Sequence, residues 1–165
     1  MESRERNTVS EKIKHDIRLP PDPVVYDAIR TSWKKHSIAE DRHHIEELVT
    51  TLTHDCVYEI VGTEHKWIGR DGATRFYKEL ITAFPDIKFD LQHIVIGPQG
   101  VFEEALVTLT HKGPYLGFAP TEHRKKFRIG IYVPWNPTSG LFSGERIFAD
   151  FKTVLSDPNK NGIIV

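Results

Sequence analysis

Cysteine is almost missing from this chain. Cys56 is the one thiol in 165 residues. That excludes an intramolecular disulfide, CxxC redox chemistry and Cys-rich zinc sites. A lone thiol also suits a reducing compartment, and the expected location is the cytoplasm. An excess of charge of either sign is missing as well: 22 basic and 23 acidic side chains leave a net charge of -1. The strongly basic footprint of a nucleic-acid binder is therefore absent, and nothing favours an anionic membrane surface as partner. No run approaches the ~18 apolar residues of a membrane span. The stretch from Met1 to Asp16 has no apolar signal core. GxGxxG, P-loop, GxSxG and HExxH patterns do not occur, so a nucleotide cofactor, a serine nucleophile elbow and a zincin site have no support.

What is present is one domain's worth of chain, 39% hydrophobic and 27% charged, long enough for a core without staples. Residues 1–20 carry charge and little to bury, and read as a mobile arm ending at Pro20-Pro21. Asp22-Pro23 has the form of an N-cap with proline at the first helical position. Val25, Ile29 and Trp33 then give a helical stripe. Ser37 and Glu40 have capping-box spacing, which predicts a second helix there with Ile45, Leu48, Val49 and Leu52 as its stripe. Cys56 to Val61 is a short β-rich run. Asp71 opens a third helix on Phe76, Leu80 and Phe84, ended by Pro85. From Ile87 onward the pattern changes: Ile87–Ile96, Val101–His111, Lys125–Trp135 and Glu145–Phe151 read as strands separated by Gly and Pro punctuation. Helices first and long strands on short connections afterwards predict an α+β domain over residues 21–157. Three helices would pack on one face of a strongly curved, mostly antiparallel sheet. A pocket would form between them, and residues 158–165 would be a tail.

Three segments in this order resemble the SnoaL-like polyketide cyclases, also called ester cyclases. Gly69-Arg70-Asp71-Gly72-Ala73 leads through Phe76-Tyr77 to Ala83-Phe84-Pro85-Asp86. Thr110-His111-Lys112-Gly113 is followed by Gly117 and Pro120-Thr121. Glu145-Arg146-Ile147-Phe148-Ala149-Asp150 continues to Thr153-Val154-Leu155. The resemblance covers residues 24–155. It implies the cone-shaped α+β barrel shared with nuclear transport factor two, ketosteroid isomerase, scytalone dehydratase and limonene epoxide hydrolase. Leu109 and Glu122 stand where the family's signature has glycine.

In the cyclases this chain resembles, an acid in an apolar pocket moves protons with no metal and no organic cofactor. Burial disfavours the charged carboxylate and so tunes such a group toward neutral pH. Asp150, in an apolar run, matches the family's catalytic acid; it could equally be a solvated strand-end residue or pair with Arg146. Glu59 matches the position at which ketosteroid isomerase carries its base, though any edge strand shows such a residue. His111 could orient a carboxylate or donate to an oxyanion, or be a satisfied structural histidine. His43 and Glu47 supply two metal ligands at most, so that helix reads as a solvated face and no metal is expected. Tyr26, Trp33, Tyr58, Trp67, Phe84, Phe118 and Trp135, with Phe76, lie on elements expected to surround the cone. Those that line a cavity would bind a small hydrophobic molecule. The resemblance thus implies an acid/base cyclase or isomerase acting on a hydrophobic carbonyl compound, polyketide-like or steroid-like. It also implies a homodimer through the outer faces of the Val101–His111 and Lys125–Trp135 strands. A non-catalytic binding or interaction module, a dehydratase and an epoxide hydrolase are the alternatives the fold allows.

Overall fold

The computed structural model describes residues 10–156. The sequence proposals for residues 1–9, and the tail over residues 158–165, lie outside them. Five helices are present among the described residues: α1 Glu11–Asp16, α2 Pro23–Asp41, α3 Ile45–Leu48, α4 Gly69–Ala83 and α5 Phe151–Ser156. Six strands, β1 Leu52–Ile60, β2 Lys66–Ile68, β3 Lys88–Gly97, β4 Gly100–Thr110, β5 Arg124–Asn136 and β6 Leu141–Phe148, form one sheet in the order β2-β1-β6-β5-β4-β3. Only β1 and β6 pair in parallel. The α+β architecture with helices on a mostly antiparallel sheet is as the sequence predicts. No helix among the described residues is long and apolar enough to cross a membrane.

Asp22 caps α2 by accepting from Val24 N at 2.9 Å, with Pro23 in the first turn. The helix then runs straight through the expected boundary at Ser37. Ile29, His36 and Ala39 are all buried, so the inward stripe continues to the end of the helix and Ser37 is an interior residue rather than a cap. The second helix shrinks to the single turn of α3, and Leu52 already begins β1. Part of the expected arm is also ordered: α1 is capped by Ser10, and Gln99 Nε2 donates to the Asp16 carbonyl at 2.7 Å.

Two backbone details shape the sheet. Gly144 has φ +107, and a Cβ there would lie 2.1 Å from the Val57 carbonyl oxygen. Its missing side chain lets β6 lie against β1, which sets Glu145 opposite Tyr58. Glu122, standing where the resembled signature has glycine, keeps the glycine-like conformation at φ +59. That costs about 1–2 kcal/mol for a residue with a Cβ, and an ion pair with Lys112 accompanies it.

The last strand ends earlier than its sequence pattern suggests. β6 stops at Phe148, and Phe151, Val154 and Leu155 are buried by α5 instead.

Candidate active site

Alternation along β6 puts Glu145 on the same face as buried Ile147, toward the helices. The residue is 3% exposed. Its hydrogen bonds converge on one oxygen. His36 Nε2 lies 3.0 Å from Oε1, the Tyr77 hydroxyl donates to it at 2.9 Å, and the Tyr58 hydroxyl reaches it at 3.4 Å. Each partner comes from a different element: His36 from the inner stripe of α2, Tyr77 from α4 and Tyr58 from β1. A buried carboxyl held by His36 and Tyr77, with Tyr58 at longer range, is the arrangement that keeps a charge inside a protein.

Glu145 and Glu40 both line one cavity, whose walls include Phe76, Leu80, Phe89, Ile131 and Phe151. Its volume is about 20 Å³, enough for roughly one water molecule. Glu40 is partly exposed as a residue and is one of the walls of this apolar space. Burial first, and then the charges of Glu145, Glu103 and Asp41, push its pKa well above the usual carboxyl range, against the pull of the Tyr77 hydroxyl. Burial and the Glu145 charge also raise Tyr58 and Tyr77 well above the ordinary phenol value, so both stay protonated donors.

A third inward acid is Glu103 on β4, which accepts from Trp33 Nε1 at 2.9 Å. Burial and the charge of Glu145 push it up to about 7, against the pull of the Trp33 donor. A smaller gap lined by Asp41, His43, Tyr77 and Ile81 shares Glu40, Leu80, Ile87 and Phe89 with the cavity walls. It lies between the end of α2, α4 and the start of β3.

The residues expected to do the chemistry lie elsewhere. Asp150 is exposed and caps α5, accepting from Thr153 N at 3.0 Å and from the Thr153 hydroxyl. Those bonds hold its carboxyl below the usual value. It sits past the end of β6 and is not among the cavity walls. Glu59 is on the outer face of β1, paired with Arg146 and with Lys66 at 3.1 Å, and the Arg146 bond lowers it first. His111 is fully buried against Phe84 at 5.4 Å between ring centroids, and desolvation lowers it; it is not among the cavity walls.

Of the aromatic residues, Tyr58 reaches Glu145 and Trp33 reaches Glu103, while Phe76 is in the wall. Trp67 donates to Glu79 and packs on Phe76. Phe84 is core, Phe118 packs against the core, and Trp135 packs on Phe142. Tyr26 is 45% exposed in a separate groove beside Pro21 and Pro98. Among the described residues, no group of three or more His, Cys, Asp or Glu is arranged to hold a metal ion.

His36, Glu40, Glu103 and Glu145 thus carry the site. Each was within reach of the sequence pattern. The α2 stripe of Val25, Ile29 and Trp33, extended by three and then four residues, lands on His36 and Glu40. Strand parity from Ile147 gives Glu145, and parity from Val101 and Ala105 gives Glu103.

The family model for SnoaL-like polyketide cyclases matches residues 24–133. Solved structures show the same fold at low sequence identity. A protein of Jannaschia sp. CCS1, assigned as a SnoaL-like polyketide cyclase, superposes with a TM-score of 0.71 at 16% identity, covering 85% of this chain and 99% of that one. A limonene-epoxide-hydrolase-like epoxide hydrolase of Mycobacterium tuberculosis gives 0.63 at 16% identity, covering 84% and 94%. A second M. tuberculosis protein, solved with estradiol-17β-hemisuccinate, gives 0.58 at 12% identity, covering 76% and 95%. No curated protein sequence matches this chain.

Proposed function

The chain belongs to the SnoaL-like polyketide cyclase family, and from that premise and the chemistry of its cavity we propose that it is a general acid/base enzyme acting on a small hydrophobic carbonyl compound. Glu145 is the base and Glu40 the acid. One observation carries this reading: two carboxyls open onto one apolar cavity in environments that favour opposite protonation states. Pairs separated in this way supply an acid and a base at the same pH. All the bonds described for Glu145 go to Oε1, which leaves Oε2 for a substrate proton. Oε2 removes a proton from the carbon beside the carbonyl, and Glu40 donates its own to the enolate oxygen or, in a ring closure, to the oxygen of the carbonyl that the enolate carbon attacks. The walls accept apolar surface, and the carboxyls orient the one polar group. A cavity of about 20 Å³ holds no substrate, so binding widens it, with the gap beside Ile81 and Ile87 as the way in.

The test is exchange of carbon-bound hydrogen in D2O, followed by proton NMR on a panel of apolar ketones and β-keto esters. Wild-type protein exchanges a member of the panel. Glu145→Gln loses ~10²–10⁴-fold in rate, the usual contribution of a positioned base. Equal exchange by wild type and Glu145→Gln would refute the assignment.

The water-sized cavity favours one other reading. A water held there by Glu145, with Glu40 as proton donor to an opening epoxide, would use the same two residues for hydrolysis. Turnover of a terpene-like epoxide by a protein inactive in the exchange assay would select that reading.

A further inference from the structure

Behind Glu145 the polar side chains run in a line that ends on the backbone. The Thr51 hydroxyl donates to the Leu48 carbonyl at 2.6 Å. His36 Nδ1 lies 2.6 Å from the same hydroxyl oxygen, and His36 Nε2 lies 3.0 Å from Glu145 Oε1. A hydroxyl has one hydrogen and a carbonyl can only accept, so the Thr51 hydrogen is committed to Leu48. Its oxygen therefore turns a lone pair toward Nδ1, and Nδ1 carries a hydrogen. A second proton then lies between Nε2 and Oε1, since two lone pairs would otherwise oppose each other. With Tyr77 and Tyr58 donating to Oε1 as well, the carboxylate is the better host for that set of donors. The proton therefore sits on Nε2. All three residues of this line are at most 3% exposed, so water does not replace a missing partner.

We infer that Thr51 is a positioning residue: it fixes His36 as an imidazolium and so holds Glu145 as the carboxylate that faces the cavity. This rests on the reading of Glu145 as the base. The other titratable groups around the pair are Tyr58 on β1, Tyr77 on α4, Glu40 and Asp41 on α2 and Glu103 on β4. The two phenols keep their protons, and Glu40, the protonated acid of this site, adds no charge, so the Glu145 carboxylate is the partner in contact with His36. Without the Thr51 acceptor, a neutral ring with its hydrogen on Nε2 satisfies Glu145 equally well and leaves Nδ1 bare.

The experiment is long-range nitrogen–proton NMR of ¹⁵N-histidine protein at pH 7. His36 is assigned by the signals missing from His36→Gln. Wild type shows both His36 nitrogens protonated. Thr51→Val shows one bare nitrogen, Nδ1, and Thr51→Ser restores the wild-type pattern. A bare His36 nitrogen in wild type, or two protonated nitrogens in folded Thr51→Val, overturns the inference. If Thr51→Val does not fold, the wild-type spectrum decides, because it alone shows whether Nδ1 and Nε2 are both protonated. Failure here with loss of exchange in Glu145→Gln removes only the role of Thr51. Success here with unchanged exchange in Glu145→Gln removes the catalytic reading and leaves the ion pair.

Discussion

Replacing Tyr77 with phenylalanine deletes one oxygen at the centre of the site. The Tyr77 hydroxyl donates to Glu145 Oε1 at 2.9 Å. The ring itself is buried against Tyr58 and Phe76 and is retained, so packing changes little. A hydrogen bond to a charged group contributes about 1.5–3 kcal/mol, and the carboxylate it leaves has no water to turn to. For a domain of this size that corresponds to a fall of roughly 3–12 °C in Tm. Tyr58→Phe is the internal control. Its hydroxyl stands 3.4 Å from the same oxygen, beyond good hydrogen-bond distance, and should cost under about 1 kcal/mol. Urea unfolding at pH 7 measures both variants, with an unchanged denaturant slope as the sign that only stability has moved. A Tyr77→Phe cost below about 0.5 kcal/mol, or one no larger than that of Tyr58→Phe, would refute the picture of a carboxylate held mainly by His36 and Tyr77.

Three further outcomes follow from the same geometry. Glu103 is about 4.5 in an unfolded chain and about 7 when folded, so the folded state retains a proton the unfolded state releases. Its contribution is fully present below pH 4.5 and is lost as the pH rises to 7, by roughly 3 kcal/mol at most; Glu103→Gln should flatten that part of the stability–pH curve measured by urea unfolding. Asp150→Ala should cost about 1 kcal/mol for the lost α5 cap and leave exchange catalysis intact, which thermal melts and the D2O assay on one sample will show. On the outer face of the sheet, Phe102 and Phe148 are 46% and 42% exposed and Val95 is 65% exposed; we propose that a second copy covers this face, so light scattering at about 20 µM, a working range for a standard-size interface, should give a dimer for wild type and a monomer for Phe102→Glu.

The fold was readable because its signals are long and repeated. Four strands of alternating or continuous apolar residues follow a set of helices, and each was found within a few residues of its place. The inward acids are harder to read, because a charge near apolar residues in sequence need not lie on the inward face. Asp150 looks isolated among apolar neighbours, but a strand alternates: Ile147 faces in, so Phe148 faces out, and Glu145 shares the inner face. The capping-box spacing at Ser37 and Glu40 hid the helix stripe that runs through His36 to Glu40, since local hydrogen-bond chemistry there competes with a tertiary contact that dominates. That Glu145, Tyr77 and His36 meet was not readable at all, because β6, α4 and α2 are brought together only by the packing of the helices on the curved sheet.

The protonation states of the two cavity carboxyls at pH 7 bear most directly on the account. Carbon NMR of ¹³C-glutamate-labelled protein, with Glu40 and Glu145 assigned from the Glu40→Gln and Glu145→Gln spectra, reads each carboxyl separately. The account predicts a protonated carboxyl signal for Glu40 and an ionised one for Glu145. Two ionised signals, two protonated ones, or the reverse assignment would contradict it.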